Sequence, residues 1–173
     1  ELASCSFGQS NKITPIQLIT AVSAIANGGK LVEPHVVKEE LDSKNNVVKT
    51  FGTTIKRQVI SADISKEMCT MMQKEVSEGT GKNAYVAGYR VGGKTGTSQK
   101  LDKPNDPNAL ICSFVGIAPA DNPKIAVLLL LDEPHAPINF GGVIAAPVVG
   151  NIMAEILPYL GVEPQYTAEE AQK

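Results

Sequence analysis

The sequence has little charge of one sign and no long hydrophobic run. Its 173 residues carry 16 basic and 18 acidic side chains, a formal net charge of -2, so no field of one sign is available to attract nucleic acid or an anionic membrane. The longest apolar run, residues 125–131, is far shorter than the roughly 20 residues that a membrane helix needs. We therefore expect a soluble chain that does not bind nucleic acid, and any membrane anchor of a parent protein to lie upstream.

Cysteine and histidine are also scarce. The three cysteines, Cys5, Cys69 and Cys112, are odd in number and lie in apolar segments without metal-ligand spacing, so we interpret them as small buried hydrophobic residues. His35 follows a proline at a predicted strand start, and His135 lies in a proline-rich loop, which favours structural or solvent-facing roles. We expect no metal site and no cofactor.

The apolar pattern predicts three helices in one domain, for which a hydrophobic share of 43% is sufficient. Thr14-Pro15-Ile16-Gln17 offers a cap, a proline suited to the first turn and a glutamine that can reach back to the cap, so a helix should begin there and end at Gly28-Gly29. Helical spacing predicts a second helix over residues 61–78, whose methionines should fill the core, and a third that opens at Ala145-Ala146-Pro147.

Extended segments account for most of the remainder. Residues 31–41 and 47–51 flank a polar turn and predict an exposed hairpin. Three further strands are predicted over residues 89–98, 111–118 and 124–131. A short turn makes the last two an antiparallel pair, and the loop before them can close a hairpin with the first. We expect an α/β fold in which the final helix packs on this antiparallel sheet.

The first of these strands contains the segment Lys94-Thr95-Gly96-Thr97, preceded by two more glycines. Glycine weakens a strand, so such a cluster indicates that something approaches the backbone closely. Along a strand without a kink or bulge, Lys94 and Gly96 face one way and Thr95 and Thr97 the other. A cation, two hydroxyls and free backbone N–H groups can receive a carboxylate and a developing oxyanion. The alternative is an ordinary edge strand.

Further motifs occur in an order that resembles class B penicillin-binding proteins, closest to the division or sporulation branch. The resemblance covers residues 7–164. It is carried by Phe7-Gly8-Gln9-Ser10, Thr14-Pro15-Ile16-Gln17-Leu18, Ala26-Asn27-Gly28-Gly29, Pro34-His35, Glu78-Gly79-Thr80-Gly81, Gly92-Gly93-Lys94-Thr95-Gly96-Thr97, Ser113-Phe114-Val115-Gly116, Ala118-Pro119, Gly141-Gly142 and Ala145-Ala146-Pro147.

This resemblance implies the fold of serine β-lactamases and D,D-transpeptidases, with residues 1–163 as the C-terminal portion of the transpeptidase domain and 164–173 as a linker or tail. It implies serine acyl transfer from the D-Ala-D-Ala end of a peptidoglycan stem peptide, and binding of penicillin. Lys94 would supply positive charge, Thr95 and Thr97 would hold the carboxylate, and the Thr97 N–H would bind the oxyanion. Gly96 would keep the strand open, and Gln99 would lie at the rim of the site.

The nucleophile of that family is not in this chain, because no serine has a lysine three positions further on. Ser43-Lys44-Asn45 matches the middle motif only by chance, in a polar turn and out of order. We expect the missing motifs upstream, so the chain alone should be inactive and should need the upstream half of the same domain. The resemblance places the parent protein at the extracytoplasmic face of a bacterial cell membrane, with the cell-wall synthesis machinery as its partner.

Three other interpretations remain open. A serine β-lactamase has a similar fold and a similar Lys-Thr-Gly strand but also hydrolyses its acyl-enzyme. A β-lactam sensor domain uses the same pocket for binding and signalling. A structural half-module without its own activity is the third.

Overall fold

The computed structural model describes residues 12–103, 105–168 and 170. The helices in this part are α1 (Pro15–Ala26), α2 (Ala62–Ser77), α3 (Gly141–Ile144) and α4 (Ala146–Tyr159), with a 3-10 turn at Lys82–Ala84. The strands are β1 (Lys30–Val32), β2 (Glu39–Leu41), β3 (Val47–Thr50), β4 (Ile55–Gln58), β5 (Gly92–Gln99), β6 (Leu110–Ala118) and β7 (Ile125–Asp132).

The central sheet has the order β5-β6-β7, and both pairs are antiparallel. The three predicted strands and their hairpin connections are therefore confirmed, with bounds shifted by up to three residues. The largest shift is at the start of β5, which was predicted at Tyr89. Arg90 has a left-handed φ of 46°, a conformation that does not continue a strand, so β5 begins only at Gly92.

Helices cover both faces of this sheet. The buried residues of α4, Val149, Met153 and Leu157, form one core cluster with Phe114 of β6. On the other face, α1 and α2 build a second cluster around Ile117. Each buried side chain of this size stabilises the fold by roughly 1.5–3 kcal/mol. The predicted antiparallel sheet packed by the final helix is confirmed.

The segment Gly141–Tyr159, which joins α3 and α4, is long and apolar enough to cross a membrane by length and composition. Its inward side chains nevertheless lie in the core cluster on the sheet, where Val149 and Leu157 have no exposed surface. We therefore assign it as a core helix, because a helix that is buried against a sheet has the same apolar composition as a membrane helix.

The predicted capping box of α1 is present. Thr14 N–H donates to Gln17 Oε1 at 2.9 Å, and Gln17 N–H donates to Thr14 Oγ1 at 3.3 Å. The helix ends before Gly28 and Gly29, which both have φ near +85°. A Cβ on Gly29 would lie 2.0 Å from the Ile60 carbonyl oxygen, so this turn requires glycine.

The predicted bounds of α2 agree with the structure, but the prediction that its methionines fill the core is wrong for Met71. Ile64 and Met71 are 47% and 55% exposed, whereas Ser65 is buried. The Ser65 hydroxyl donates to the Ile25 carbonyl at 2.5 Å and accepts from Gly28 N–H at 3.1 Å. A serine that satisfies the end of α1 thus occupies a position where periodicity favours an apolar side chain.

The exposed hairpin is confirmed for β2 and β3, whose residues are all exposed, but its first arm was predicted too long: of residues 31–41 only 39–41 pair with β3. Its turn is organised by Asp42, whose carboxylate accepts from the Asn46 side chain and from the backbone N–H groups of Asn46 and Lys44. These bonds lower the pKa of Asp42. The pairing of β1 with β4 was not predicted, because the short β4 has a single apolar residue, Ile55, and none of its residues is buried.

The described part of the tail contacts the domain instead of extending from it. Gln165 N–H donates to the Gly88 carbonyl at 2.7 Å. The Glu170 carboxylate accepts from Thr167 N–H, from the Tyr85 hydroxyl and from Gly88 N–H, which lowers its pKa to about 2. The linker or tail predicted from the polar composition is therefore tied to the segment just before β5.

Candidate active site

Strand β5 is an edge strand of the described sheet, and its backbone orientation is fixed by two contacts. Lys100 N–H donates to the Ala109 carbonyl at 2.9 Å, so Lys100 turns its backbone groups toward the β6 side. These groups alternate in direction along an antiparallel strand. Thr95 and Thr97 therefore direct their N–H and C=O groups to the free edge. In agreement, Lys94 Nζ reaches the Thr95 carbonyl from that edge at 2.9 Å.

The side chains of β5 alternate as the sequence predicted, and the β5–β6 pairing has no bulge. The Thr97 Oγ1 atom accepts from Gly141 N–H at 3.1 Å, and the Thr95 Oγ1 atom lies 3.1 Å from Thr80 Oγ1, both on the α3 side. Lys94 starts on the opposite face, and its ammonium bends back over the free edge to Thr95 Oγ1 at 3.3 Å. The cation, the hydroxyls and the free backbone groups of the predicted receptor thus lie at one edge.

Glycines allow α3 to pack directly on the site strand. A Cβ on Gly141 would lie 2.2 Å from the Ser113 carbonyl oxygen and 2.4 Å from that of Gly96. Both distances are far inside any real carbon–oxygen contact, so only glycine fits between α3 and the strands. The first turn of α3 is consequently held against Gly96, from which it can bind the Thr97 hydroxyl.

The turn that follows α2 also belongs to the site, and the side chains of Glu75 and Thr80 were not predicted as functional. Thr80 Oγ1 donates to Glu75 Oε1 at 2.5 Å, and its backbone lies so near α3 that a Cβ on Gly142 would come within 2.6 Å of the Thr80 carbonyl oxygen. The available signal was Glu78-Gly79-Thr80-Gly81, whose glycines indicate a close backbone approach.

Gln99 points away from the middle of the site. Its Nε2 donates to the carbonyl oxygens of Lys103, Asp106 and Ala109 at 2.7–3.1 Å. These contacts tie the loop between β5 and β6 to the end of the strand. The role of Gln99 at a substrate rim stays a prediction, while its observed contacts are structural.

An ion-pair cluster fixes the same loop from the other side. Lys100 Nζ lies 2.8 Å from Asp132 and from Glu133, and Lys103 Nζ lies 2.6 Å from Glu133. Hydrogen bonds from Lys100 and then Lys103 lower the pKa of Glu133 to about 2. The hydrogen bonds to Asp132 and Glu133 raise the pKa of Lys100.

The two described cysteines are buried, as predicted, and Cys5 lies outside the described residues. Cys112 lies behind the site strand, opposite Thr97 in the β5–β6 register, and its thiol donates to the Asn139 carbonyl at 3.2 Å. Burial raises the pKa of the Cys112 and Cys69 thiols. Both are therefore poor nucleophiles, because the thiolate is the reactive form.

An open apolar groove adjoins the lysine. It has a volume of about 430 Å³ and is lined by residues of α1 and α2 beside the start of β5. Its lining includes Leu18, Met68, Met71, Glu75 and Lys94. The groove explains why Met71 is exposed although it lies beside the core.

The antiparallel sheet, its covering helices and a Lys-Thr-Gly-Thr edge strand define a transpeptidase-like α/β domain. Solved structures of this class superpose on it. The apo transpeptidase domain of penicillin-binding protein 3 from Burkholderia pseudomallei gives a TM-score of 0.79 at 34% identity, covering 95% of this chain and 48% of that one. Penicillin-binding protein 3 from Mycobacterium tuberculosis, complexed with ampicillin, gives a TM-score of 0.81 at 27% identity. The superposition covers 96% of this chain and 39% of that one.

The chain belongs to the penicillin-binding protein transpeptidase family, because the model of the penicillin-binding protein transpeptidase domain matches residues 1–154. Stage V sporulation protein D of Bacillus subtilis is 49% identical over 167 residues, which are 95% of this chain. The probable peptidoglycan D,D-transpeptidase FtsI of Caulobacter vibrioides is 36% identical over 94% of it. The family and the branch predicted from the motifs are confirmed. The chain spans only about a quarter of these relatives, 26% and 28% of their lengths.

Proposed function

We propose that this chain is the C-terminal portion of a transpeptidase domain that cross-links peptidoglycan by serine acyl transfer and is acylated by penicillin. The proposal is carried by the free edge of β5, where Lys94 and the outward backbone groups of Thr95 and Thr97 meet. These groups suit a ligand with both a carbonyl and a carboxylate, as at a D-Ala-D-Ala end. The names of the relatives support the same reaction.

In this mechanism the chain receives the substrate and the rest of the domain attacks it. Serine Oγ forms an ester with the penultimate D-Ala carbonyl, and the terminal D-Ala leaves as an amine that takes the serine proton. The developing oxyanion lies at the Thr97 N–H and the carboxylate at the Thr97 hydroxyl, while the Lys94 ammonium supplies positive charge that stabilises the charge developing in the transition state. An acceptor amine then attacks the ester, which forms the cross-link and returns a proton to serine.

The proposed substrate-binding role extends to Thr95, to Gly96 and, at the rim of the site, to Gln99. Thr95 contributes its edge-facing backbone groups and two acceptors for Lys94. Gly96 leaves the strand surface open, since it has no side chain to block a ligand. The Gln99 amide already donates to three carbonyl oxygens of its own loop.

The upstream half of the same domain is the partner that this function requires. It would bring the serine and would cover the apolar groove beside Lys94, whose exposed Met71 suits a packed helix. We propose that the whole protein is anchored upstream and acts with the cell-wall synthesis machinery at the extracytoplasmic face of the bacterial membrane, because its substrate lies there.

The test is acylation of the full-length protein by a fluorescent penicillin. Wild type should form a stable one-to-one adduct, and Lys94→Ala should lower the acylation rate by about a hundredfold or more, because developing charge loses its stabiliser. Lys124→Ala, in the turn before β7, is the matched control and should react as wild type does. Normal acylation of Lys94→Ala would contradict the assigned role, and continuous penicillin hydrolysis would indicate a β-lactamase instead.

A further inference from the structure

A chain of hydrogen bonds connects α2 to the site lysine. It links the Glu75 carboxylate, the Thr80 and Thr95 hydroxyls and the Lys94 ammonium. Consecutive oxygen–oxygen and oxygen–nitrogen distances are 2.5, 3.1 and 3.3 Å. Its members come from α2, from the turn after it and from β5, so they join the site strand to a helix on its flank.

The direction of each of these hydrogen bonds is fixed. An ammonium group only donates, a carboxylate only accepts, and each threonine hydroxyl has a single hydrogen. Lys94 therefore donates to Thr95, Thr95 to Thr80, and Thr80 to Glu75. The Thr95 hydrogen therefore points toward Thr80, and an oxygen lone pair of Thr95 accepts from the lysine.

The turn that carries Thr80 is packed by backbone contacts. Gly79 N–H and Gly81 N–H both donate to the Glu75 carbonyl at 3.1 Å. A Cβ on Gly79 would lie 2.4 Å from Glu75 Oε2, and one on Gly142 would lie 2.6 Å from the Thr80 carbonyl oxygen. Glycines on both sides therefore allow the turn to approach Glu75 and α3 closely enough for the hydroxyl to reach Thr95.

We propose that Glu75 and Thr80 are positioning residues for Lys94. They keep the Thr95 hydroxyl as an acceptor, so that the lysine is held by two oxygen atoms of Thr95 at the free edge, to which the Thr97 N–H also points. Without Thr80, the Thr95 hydroxyl would be free to turn its hydrogen toward the ammonium and repel it. This role rests on the function proposed above, and neither residue touches the reacting atoms.

The experiment measures the second-order rate constant of acylation by a fluorescent penicillin in the full-length protein. Thr80→Val keeps the shape but removes the hydroxyl, and it should lower the rate about tenfold. Glu75→Ala should act similarly, and Thr80→Ser should stay within about twofold of wild type. Thr70→Val is the matched control. The Thr70 hydroxyl donates to the Lys66 carbonyl at 3.0 Å on the same helix and takes no part in the hydrogen bonds that lead to Lys94.

A double-mutant cycle separates positioning from a general structural effect. If Thr80 acts through Lys94, then Thr80→Val should cause no further loss in the Lys94→Ala background. An equal tenfold loss in both backgrounds, or an unchanged rate in both Thr80→Val and Glu75→Ala, would overturn the positioning role. A wild-type protein that penicillin does not acylate would overturn the proposed function, and this role with it.

Discussion

Gly141 lies where the space around the site strand is smallest. Its Cα hydrogen faces the carbonyl oxygens of Gly96 and Ser113, and its N–H binds the Thr97 hydroxyl. The sequence identified Gly141 as a family landmark, and the structure supplies the reason. A side chain here would push α3 away from the strand, and the Thr97 hydroxyl would lose its donor.

Gly141→Ala should therefore destabilise the domain by roughly 1–3 kcal/mol, the usual cost of an overpacked site. Thermal unfolding of the 173-residue chain measures this directly. The control is Gly52→Ala, since a Cβ on Gly52 would meet no atom within 4 Å. Equal melting temperatures for the two variants would contradict the close packing of α3.

The site strand could be recognised from sequence, but its surroundings could not. Lys94 and Thr97 stand out because a cation and a hydroxyl lie among glycines in one short strand. Thr80 pairs with Thr95, fifteen residues further on, and Glu75 lies in a helix whose pattern shows only periodicity. Contacts between separate elements depend on tertiary packing, which no local spacing encodes.

At the scale of elements, the loop between β5 and β6 is held by charge. Glu133, just after β7, accepts from Lys100 and Lys103, while the Gln99 amide binds carbonyls of the loop. The loop therefore connects both outer strands of the sheet across β6. The sequence predicted that this loop closes the hairpin of β5 and β6. It did not predict the ion pairs of the loop, because the paired residues are about thirty positions apart.

This cluster predicts a dependence of stability on acid. The folded-state pKa of Glu133 is lowered to about 2 from an ordinary value of 4.5, so its stabilisation is complete above 4.5 and is lost as the pH falls toward 2. When the pH is lowered from about 5 to about 2.5, the melting temperature of Glu133→Gln should fall by less than that of wild type. Glu40→Gln in the exposed hairpin should follow wild type, and identical slopes for all three proteins would contradict the assignment.

Element types were predicted best where local chemistry acts alone. The capping box of α1 and the serine cap of α2 are local, and both helices begin as predicted. The strand β4 was missed because all four of its residues are exposed, which leaves no alternation of apolar and polar side chains. The buried face of α2 was partly wrong because Ser65 satisfies backbone groups of α1.

At the scale of the whole molecule, the described sheet is packed on both faces but has an open site at one edge. Buried clusters lie on both sheet faces, while the free edge of β5 and the groove beside Lys94 remain uncovered in the described part. Nothing in the 173 residues supplies a serine followed by a lysine three positions on. The proposed division of labour therefore assigns recognition and charge stabilisation to this chain and attack to the upstream half.

Intact mass spectrometry after incubation with penicillin tests this division most directly. The 173-residue chain alone should keep its mass, while the full-length protein should gain the mass of one penicillin. Restoring the adduct by adding the separately produced upstream half would strengthen the same conclusion. A stoichiometric adduct on the isolated chain, or its absence from the full-length protein, would contradict the account.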